Sequence, residues 1–255
     1  MIETKNLTKR YGKTLAVDSL NLHIQKGTIF GFIGPNGAGK TTTIKMLGGL
    51  IEPDAGEVFI RGADIKKAPE QAKQCIGFIP DRPYLYEKLT GLEFLKFTAD
   101  LYGVDESVFL DKAKNVLEIF SLIDWKDELI EAYSHGMRQR LIMSAAILHD
   151  PEIIIVDEPM VGLDPAGIKM VKRLFRELAD TGVTFFISTH TLSMAQDLCD
   201  HIGIIHHGRL IATGTLDDLK YQAQASSGDL EAVFLKLTRE DSFSERYHND
   251  SGAPS

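Results

Sequence analysis

Thr28-Ile29-Phe30-Gly31-Phe32-Ile33 runs directly into Gly34-Pro35-Asn36-Gly37-Ala38-Gly39-Lys40-Thr41. The first six residues form a continuous apolar run, the pattern of a strand buried on both faces of a parallel sheet. The next eight fit G-x-x-x-x-G-K-[ST] between such a strand and a helix-like segment, where a phosphate loop works. Glycines there let successive backbone N–H groups turn inward around phosphate oxygens, and the helix start adds partial positive charge. Lys40 is expected to neutralise the β and γ phosphates and Thr41 to place its hydroxyl on Mg²⁺. Asn36, Gly37, Ala38, Gly39 and Thr42 complete the expected contacts of the loop with a nucleotide.

Working outward, Ile76-Gly77-Phe78-Ile79, Ile153 to Asp157, Val183 to Ser188 and His201 to Ile205 repeat the buried-strand theme, with helix-like segments between several of them. Ile2 to Asn6 and Leu20 to Ile24 read as antiparallel strands, and His206-His207-Gly208-Arg209 as a hairpin turn. Ala166 to Ala179 spaces Ile168, Val171, Leu174, Phe175 and Leu178 along one buried helical stripe. Between Thr90 and Glu131 no parallel strand is evident. Thr90 and Glu93 form a capping box, Gly103 ends that helix, and Phe109, Ala113, Val116, Leu117 and Phe120 mark the next. The expected fold is α/β: a P-loop NTPase core with a mainly parallel sheet, an N-terminal antiparallel β portion and an inserted helical subdomain. One domain is expected over 1–238, with its α/β core in 1–89 and 132–238 and the helical part in 90–131. Arg239 to Ser255 is polar and highly charged, as a flexible tail would be.

Of the 255 residues, 44% are hydrophobic and 25% charged, the composition of a soluble globular protein. No apolar run approaches the roughly 18 residues that cross a bilayer, and Met1 to Lys13 lacks a secretory apolar stretch. A cytoplasmic location is expected. The net charge of -8 argues against nucleic acid as principal partner. Cys75 and Cys199 are far apart and in no C-x-x-C arrangement, so neither a disulfide framework nor a zinc site is implied, and His206 and His207 lack further clustered ligands.

The strand Ile153-Ile154-Ile155-Val156 ends in Asp157-Glu158. Asp157 is positioned by type and context to hold Mg²⁺, directly or through water. Glu158 is the candidate base that polarises the attacking water, because an ionised carboxylate beside the metal can accept a proton or orient the nucleophile.

Twenty residues ahead of that strand lies Tyr133-Ser134-His135-Gly136-Met137-Arg138-Gln139-Arg140. From Ile2 to Thr238 the sequence resembles the ATP-binding subunits of ABC transporters, and Tyr133 to Met137 is similar to that family's L-S-G-G-Q signature. Ser134 and Gly136 are kept, while His135 and Met137 replace a glycine and a glutamine. The resemblance implies that Ser134 and Gly136 touch ATP held by another subunit, in a head-to-tail dimer with two sandwiched nucleotides. It further implies that Tyr11 stacks on adenine with Val17 in the same wall, and that Asp164 helps organise the facing site. His190 then corresponds to the switch histidine near the γ phosphate. Asp81 stands where the family commonly has glutamine; it can approach Mg²⁺ through water but is one methylene shorter and has no amide donors. Arg82 to Tyr86 and the helical insert correspond to the surface that receives a separate transmembrane permease.

With Asp229 to Thr238, these departures resemble the ABC-2-type, multidrug-export-like subgroup. The implied activity is ATP hydrolysis by a cytoplasmic subunit, peripheral on the membrane through its permease and paired with a second ATP-binding subunit in a homodimer or heterodimer. The main alternative is a soluble ABC-type ATPase acting on ribosomes or DNA, against which stand the single phosphate loop, the lack of a long heptad run and the acidic balance. A GTPase or small-molecule kinase shares Lys40 and Asp157, but no N-K-x-D segment is present and the signature-like stretch would be unexplained.

Overall fold

The structure, a computed structural model, describes residues 1–82, 84–225 and 228–239. In chain order the first half contains β1 (Ile2–Tyr11), β2 (Thr14–Ile24), β3 (Ile29–Ile33), α1 (Lys40–Leu47), β4 (Ala55–Ile60), β5 (Ala63–Asp64), α2 (Pro69–Gln74), β6 (Ile76–Ile79), α3 (Gly91–Leu101) and α4 (Glu106–Ile119). The second half contains α5 (His135–Ile147), β7 (Ile153–Asp157), α6 (Pro165–Asp180), β8 (Thr184–Thr189), α7 (Leu192–Leu198), β9 (His201–His206), β10 (Arg209–Gly214) and α8 (Leu216–Gln222). A last helix, α9, covers 230–239.

Strand β3 is buried at all five positions, and so is β7, as their unbroken apolar runs require. They belong to a six-stranded sheet of order β10-β9-β3-β8-β7-β6, parallel except for the β9–β10 hairpin. Register sets the position of the site: Ile33 pairs with Thr189 and Asp157 with Ser188, so β3, β8 and β7 end at one level. The phosphate loop, the two carboxylates and His190 therefore leave the same carboxyl edge, where parallel α/β sheets bind ligands. A four-stranded antiparallel sheet, β2-β1-β4-β5, packs apolar residues from Ile2, Leu7, Leu20 and Ile60 against one side of the core.

Residues 90–131 carry α3, α4, two short 3-10 turns and, as β structure, only an isolated bridge between Thr90 and Leu129. The Thr90–Glu93 capping box is formed on both sides, and Gly103 follows α3 with φ +68°. Phe94, Phe109 and Leu117 share one apolar cluster with α5 and with Ile154 and Val156 of β7. The helical part therefore packs on α5, which in turn packs on the sheet at β6. Of the stripe expected on α6, Val171, Leu174 and Phe175 are buried, whereas Ile168 and Leu178 are half-buried at its border. Arg239, the first residue of the expected tail, is the last described residue of α9, and the rest of that segment, 240–255, lies outside the described residues.

Where the helical part meets β6, the His149 ring stacks on Tyr102 with centroids 3.7 Å apart, and its Nε2 lies 3.2 Å from the Ile76 carbonyl. Its Nδ1 is buried without a partner. Burial holds the imidazole down at about 4, below its ordinary 6.5. A folded-state value below the unfolded one means that the neutral ring supplies its full stability above pH 6.5, and that this is lost as pH falls towards 4. The loss is on the order of 2 kcal/mol, allowing for solvent at the ring edge. Urea unfolding should show His149→Gln losing less stability than the parent chain between pH 7 and pH 4.5. Parallel losses would remove His149 as the cause.

Candidate functional site

The phosphate loop is shaped by contacts that leave no room for side chains. A Cβ on Gly34 would lie 2.3 Å from the Ile205 carbonyl oxygen, and one on Gly39 (φ +111°) 2.3 Å from that of Ala16. With both positions glycine, the loop can close against β9 and β2 and launch α1. Lys40 is buried at its mouth, its Nζ donating to the carbonyls of Gly34 at 2.7 Å and Pro35 at 3.0 Å. Burial lowers its pKa, opposed by the negative charges of Glu158 and Asp157.

Across the cleft Thr41 Oγ1 donates to Asp157 Oδ2 at 3.2 Å. Asp157 is buried, which pushes its carboxyl up from the usual range; Thr41 opposes this, and Glu158 and Asp81 add to it. A cation at that position would reverse the effect by favouring the ionised form. Among the described residues no group of three or more His, Cys, Asp and Glu is placed to hold a metal ion. One hydroxyl and one carboxylate, both hard oxygen donors, fit a Mg²⁺ that takes its other ligands from phosphate and water.

Glu158 follows β7 in a left-handed backbone conformation, φ +51°. Its carboxylate is held from three directions: Thr189 Oγ1 donates to Oε2 at 3.0 Å, the His190 N–H donates to Oε1 at 2.9 Å, and His190 Nδ1 lies 2.6 Å from Oε1. An acceptor oriented by these contacts needs little rearrangement to receive a proton from a water.

Asn36, Gly37, Gly39, Lys40, Thr41, Thr42, Asp81, Asp157, Glu158 and His190 line one cleft of about 320 Å³. Ala16 and Val161 join them and were not read from the sequence. Ala16 is a small residue in an amphipathic strand and gave no signal, while Val161 sits three residues after Glu158 in a turn closed by Val161 N–H to Glu158 O. Val17 and Ala38 are not among the residues lining this cleft. Val17 is wholly buried, within 3.4 Å of where a Gly39 Cβ would lie, so it backs the loop and forms no open wall. Ala38 is buried too, its N–H turned to Pro35 O and its carbonyl accepting from Gly208, so it shapes the loop from behind. Tyr11 stands half exposed at the tip of the β1–β2 ribbon, with the Lys9 ammonium 5.8 Å from its ring centroid.

Ser134, Gly136 and Asp164 are not in the phosphate cleft. They line a second one with Arg140, Gly162 and Gly167. Ser134 is the N-cap of α5, its Oγ accepting from Met137 N at 3.3 Å, and Asp164 caps α6 by accepting from Gly167 N at 2.8 Å. Two departures from the signature find structural places. Met137 packs against the helical core, and the buried Tyr133 donates its hydroxyl to Trp125 O at 2.6 Å, with burial pushing its pKa to about 12. Elsewhere Tyr84 and Tyr86 are exposed beside Phe97, with Tyr86 and Phe97 in edge contact at 5.4 Å.

Comparison with known proteins agrees with this geometry. Residues 17–161 match the family model described as ABC transporter. A bacitracin transport ATP-binding protein, BcrA, of Bacillus licheniformis is 44% identical over 86% of this chain and 71% of its own length. A linearmycin resistance ATP-binding protein, LnrL, of Bacillus subtilis is 40% identical over 86% and 70%. A solved ATP-binding subunit of an ABC transporter superposes with TM-score 0.89 at 34% identity, covering 93% of this chain and 99% of that one. An ATP-binding cassette solved as a dimer in a post-hydrolysis state with ADP and Pi superposes at 0.75 with 25% identity, covering 85% and 99%. With the phosphate loop, the paired carboxylates and the separate signature cleft in these positions, the chain belongs to the ABC transporter family as an ATP-binding, ATP-hydrolysing subunit.

Proposed function

We propose that this chain is the motor of an exporter: two ATP-binding subunits close head to tail on two nucleotides, closure drives a separate permease, and hydrolysis reopens the pair. The observation that carries this reading is the division of the candidate residues between two clefts with no lining residue in common. Ser134 and Gly136 at the start of α5 offer a hydroxyl, backbone N–H groups and helix-terminal positive charge, a cradle for a phosphate that their own loop does not present.

In this reading Lys40 and the loop N–H groups hold the phosphates, and Tyr11 stacks on adenine. Thr41 and Asp157 hold Mg²⁺, with Asp81 near it through water; when bound, the ion would offset charge on the phosphate oxygens. Glu158 takes the proton of the attacking water, and His190 holds Glu158 and meets the γ phosphate. Asp164 organises the facing site. The second subunit is the same chain or a homologous one, and closure does work through the difference in stability between open and closed pairs.

No helix of the described residues is long and apolar enough to cross a membrane. In this reading a separate permease carries the membrane crossing, and the exposed Tyr84, Tyr86 and Phe97 patch is the surface we assign to it. Relatives named for bacitracin transport and linearmycin resistance support export over work on ribosomes or DNA. Fractionation of cells should place the chain with membranes, and Tyr84→Ala with Tyr86→Ala should reduce that fraction several-fold while ATP binding persists. Sedimentation with ribosomes and none with membranes would reverse the assignment.

A further inference from the structure

The segment 158–164 connects the two clefts. Glu158 and Val161 line the phosphate cleft, while Gly162 and Asp164 line the signature cleft. Its middle is pinned by a side chain that the family's usual signature lacks. A Cβ on Gly162 would lie 2.1 Å from His135 Cδ2 and 2.4 Å from its Nε2, so the imidazole edge rests directly on the Gly162 backbone. At Gly136 an added Cβ would lie 3.1 Å from Gly162 O. His135 is the first residue of α5, beside the Ser134 cap. Gly162 follows the turn closed by Val161 N–H to Glu158 O and lies within the next, closed by Leu163 N–H to Met160 O. Glycine at position 135 has no atoms beyond Cα and cannot make the ring contact.

We propose that His135 is a positioning residue that couples the two ATP sites of the pair, transmitting the seating of a phosphate on Ser134 of one chain to the Glu158 carboxylate of the same chain. The inference rests on the head-to-tail reading above. A phosphate on the start of α5 fixes the helix terminus; the His135 ring then limits where Gly162 can lie, and the turn behind Gly162 carries Glu158. Close-packed contacts pass such displacements on because neither side has space to absorb them. The facing nucleotide thus sets the base of the chain's own site, and the two hydrolysis events become interdependent. Packing carries the effect, so a planar apolar ring at position 135 should serve as well as imidazole.

The test is ATP hydrolysis by the full chain as a function of ATP concentration, for the parent, His135→Gly and His135→Phe. Binding of a fluorescent ADP analogue to the dilute chain and thermal unfolding are measured beside it. The parent should be cooperative, with a Hill coefficient approaching 2, the limit for two sites. In His135→Gly the coefficient should fall to about 1 and kcat by about five-fold or more, the lower range of an ordinary coupling. ADP-analogue affinity should hold, since the phosphate loop is untouched, and glycine at a helix start costs at most about 1 kcal/mol in folding. His135→Phe should restore both cooperativity and kcat. A cooperative parent matched by an equally cooperative His135→Gly would overturn the coupling and leave the dimer reading intact. Equal losses in the glycine and phenylalanine variants would overturn it as well. A non-cooperative parent would overturn the inference, and if sedimentation also finds that parent single in ATP, the dimer reading falls with it.

Discussion

Replacing Glu158 by glutamine is expected to reduce ATP turnover by about 10²- to 10⁴-fold, the range for loss of a general base. The amide keeps the size of the side chain; its oxygen can still accept from the His190 N–H, now 2.9 Å from Oε1, and its NH2 can donate to the Thr189 hydroxyl, which now donates to Oε2 at 3.0 Å. What disappears is the negative charge and the ability to take a proton. Asp157, Thr41 and Lys40 keep their places, so nucleotide binding should survive. Removing one carboxylate from a cleft that also holds Asp157 and Asp81 should, if anything, favour the polyanionic nucleotide. ATP would then be bound and held. Steady-state phosphate release beside equilibrium ATP binding separates the two effects, and a Glu158→Gln chain that turns over ATP at the parent rate would assign the base elsewhere.

The second large effect is expected from Gly136→Asp. Gly136 stands in the first turn of α5, where an added carboxylate complements the helix dipole, and a Cβ there meets only Gly162 O at 3.1 Å. Gly162 must give by a few tenths of an ångström to admit the Cβ, so thermal unfolding of the variant is measured beside its association. The same carboxylate would occupy the positive helix end offered to a facing γ phosphate, placing like charges together in a closing interface. Such juxtaposition costs several kcal/mol, about 10²-fold or more in association. Binding of ATP to the chain's own loop, in the other cleft, should be unaffected.

How much of this could be read from the chain varied with the physics of each segment. β3 and β7 were legible because strands buried on both faces must be apolar throughout, and the loop between β3 and α1 because phosphate binding constrains glycine, lysine and threonine together. β4 was not, since Ala55, Gly56 and Glu57 are exposed and only Val58 and Ile60 are buried. Likewise β1 and β2 run well beyond the segments expected, to Tyr11 and from Thr14; their register shifts break the alternation that marks a half-buried strand. In the site, residue type singled out Lys40, Asp157 and Glu158, which the fold gathers in one cleft. It could not show that the Val17 and Ala38 side chains lie buried behind the loop, and it was silent on Ala16, whose presence in the cleft is a matter of place alone. The tie between His135 and Gly162 joins residues 27 positions apart and is visible only in three dimensions.

The central claim is that each chain supplies half of two composite sites. It is tested most directly by the mass of the Glu158→Gln chain in solution, measured by sedimentation with Mg²⁺ and either ATP or ADP, with and without Gly136→Asp. A doubling of mass in ATP alone, lost when Gly136→Asp is added while ATP binding to the single chain persists, is the predicted result. A chain that stays single in ATP, or a pair that forms equally well with aspartate at position 136, would contradict it.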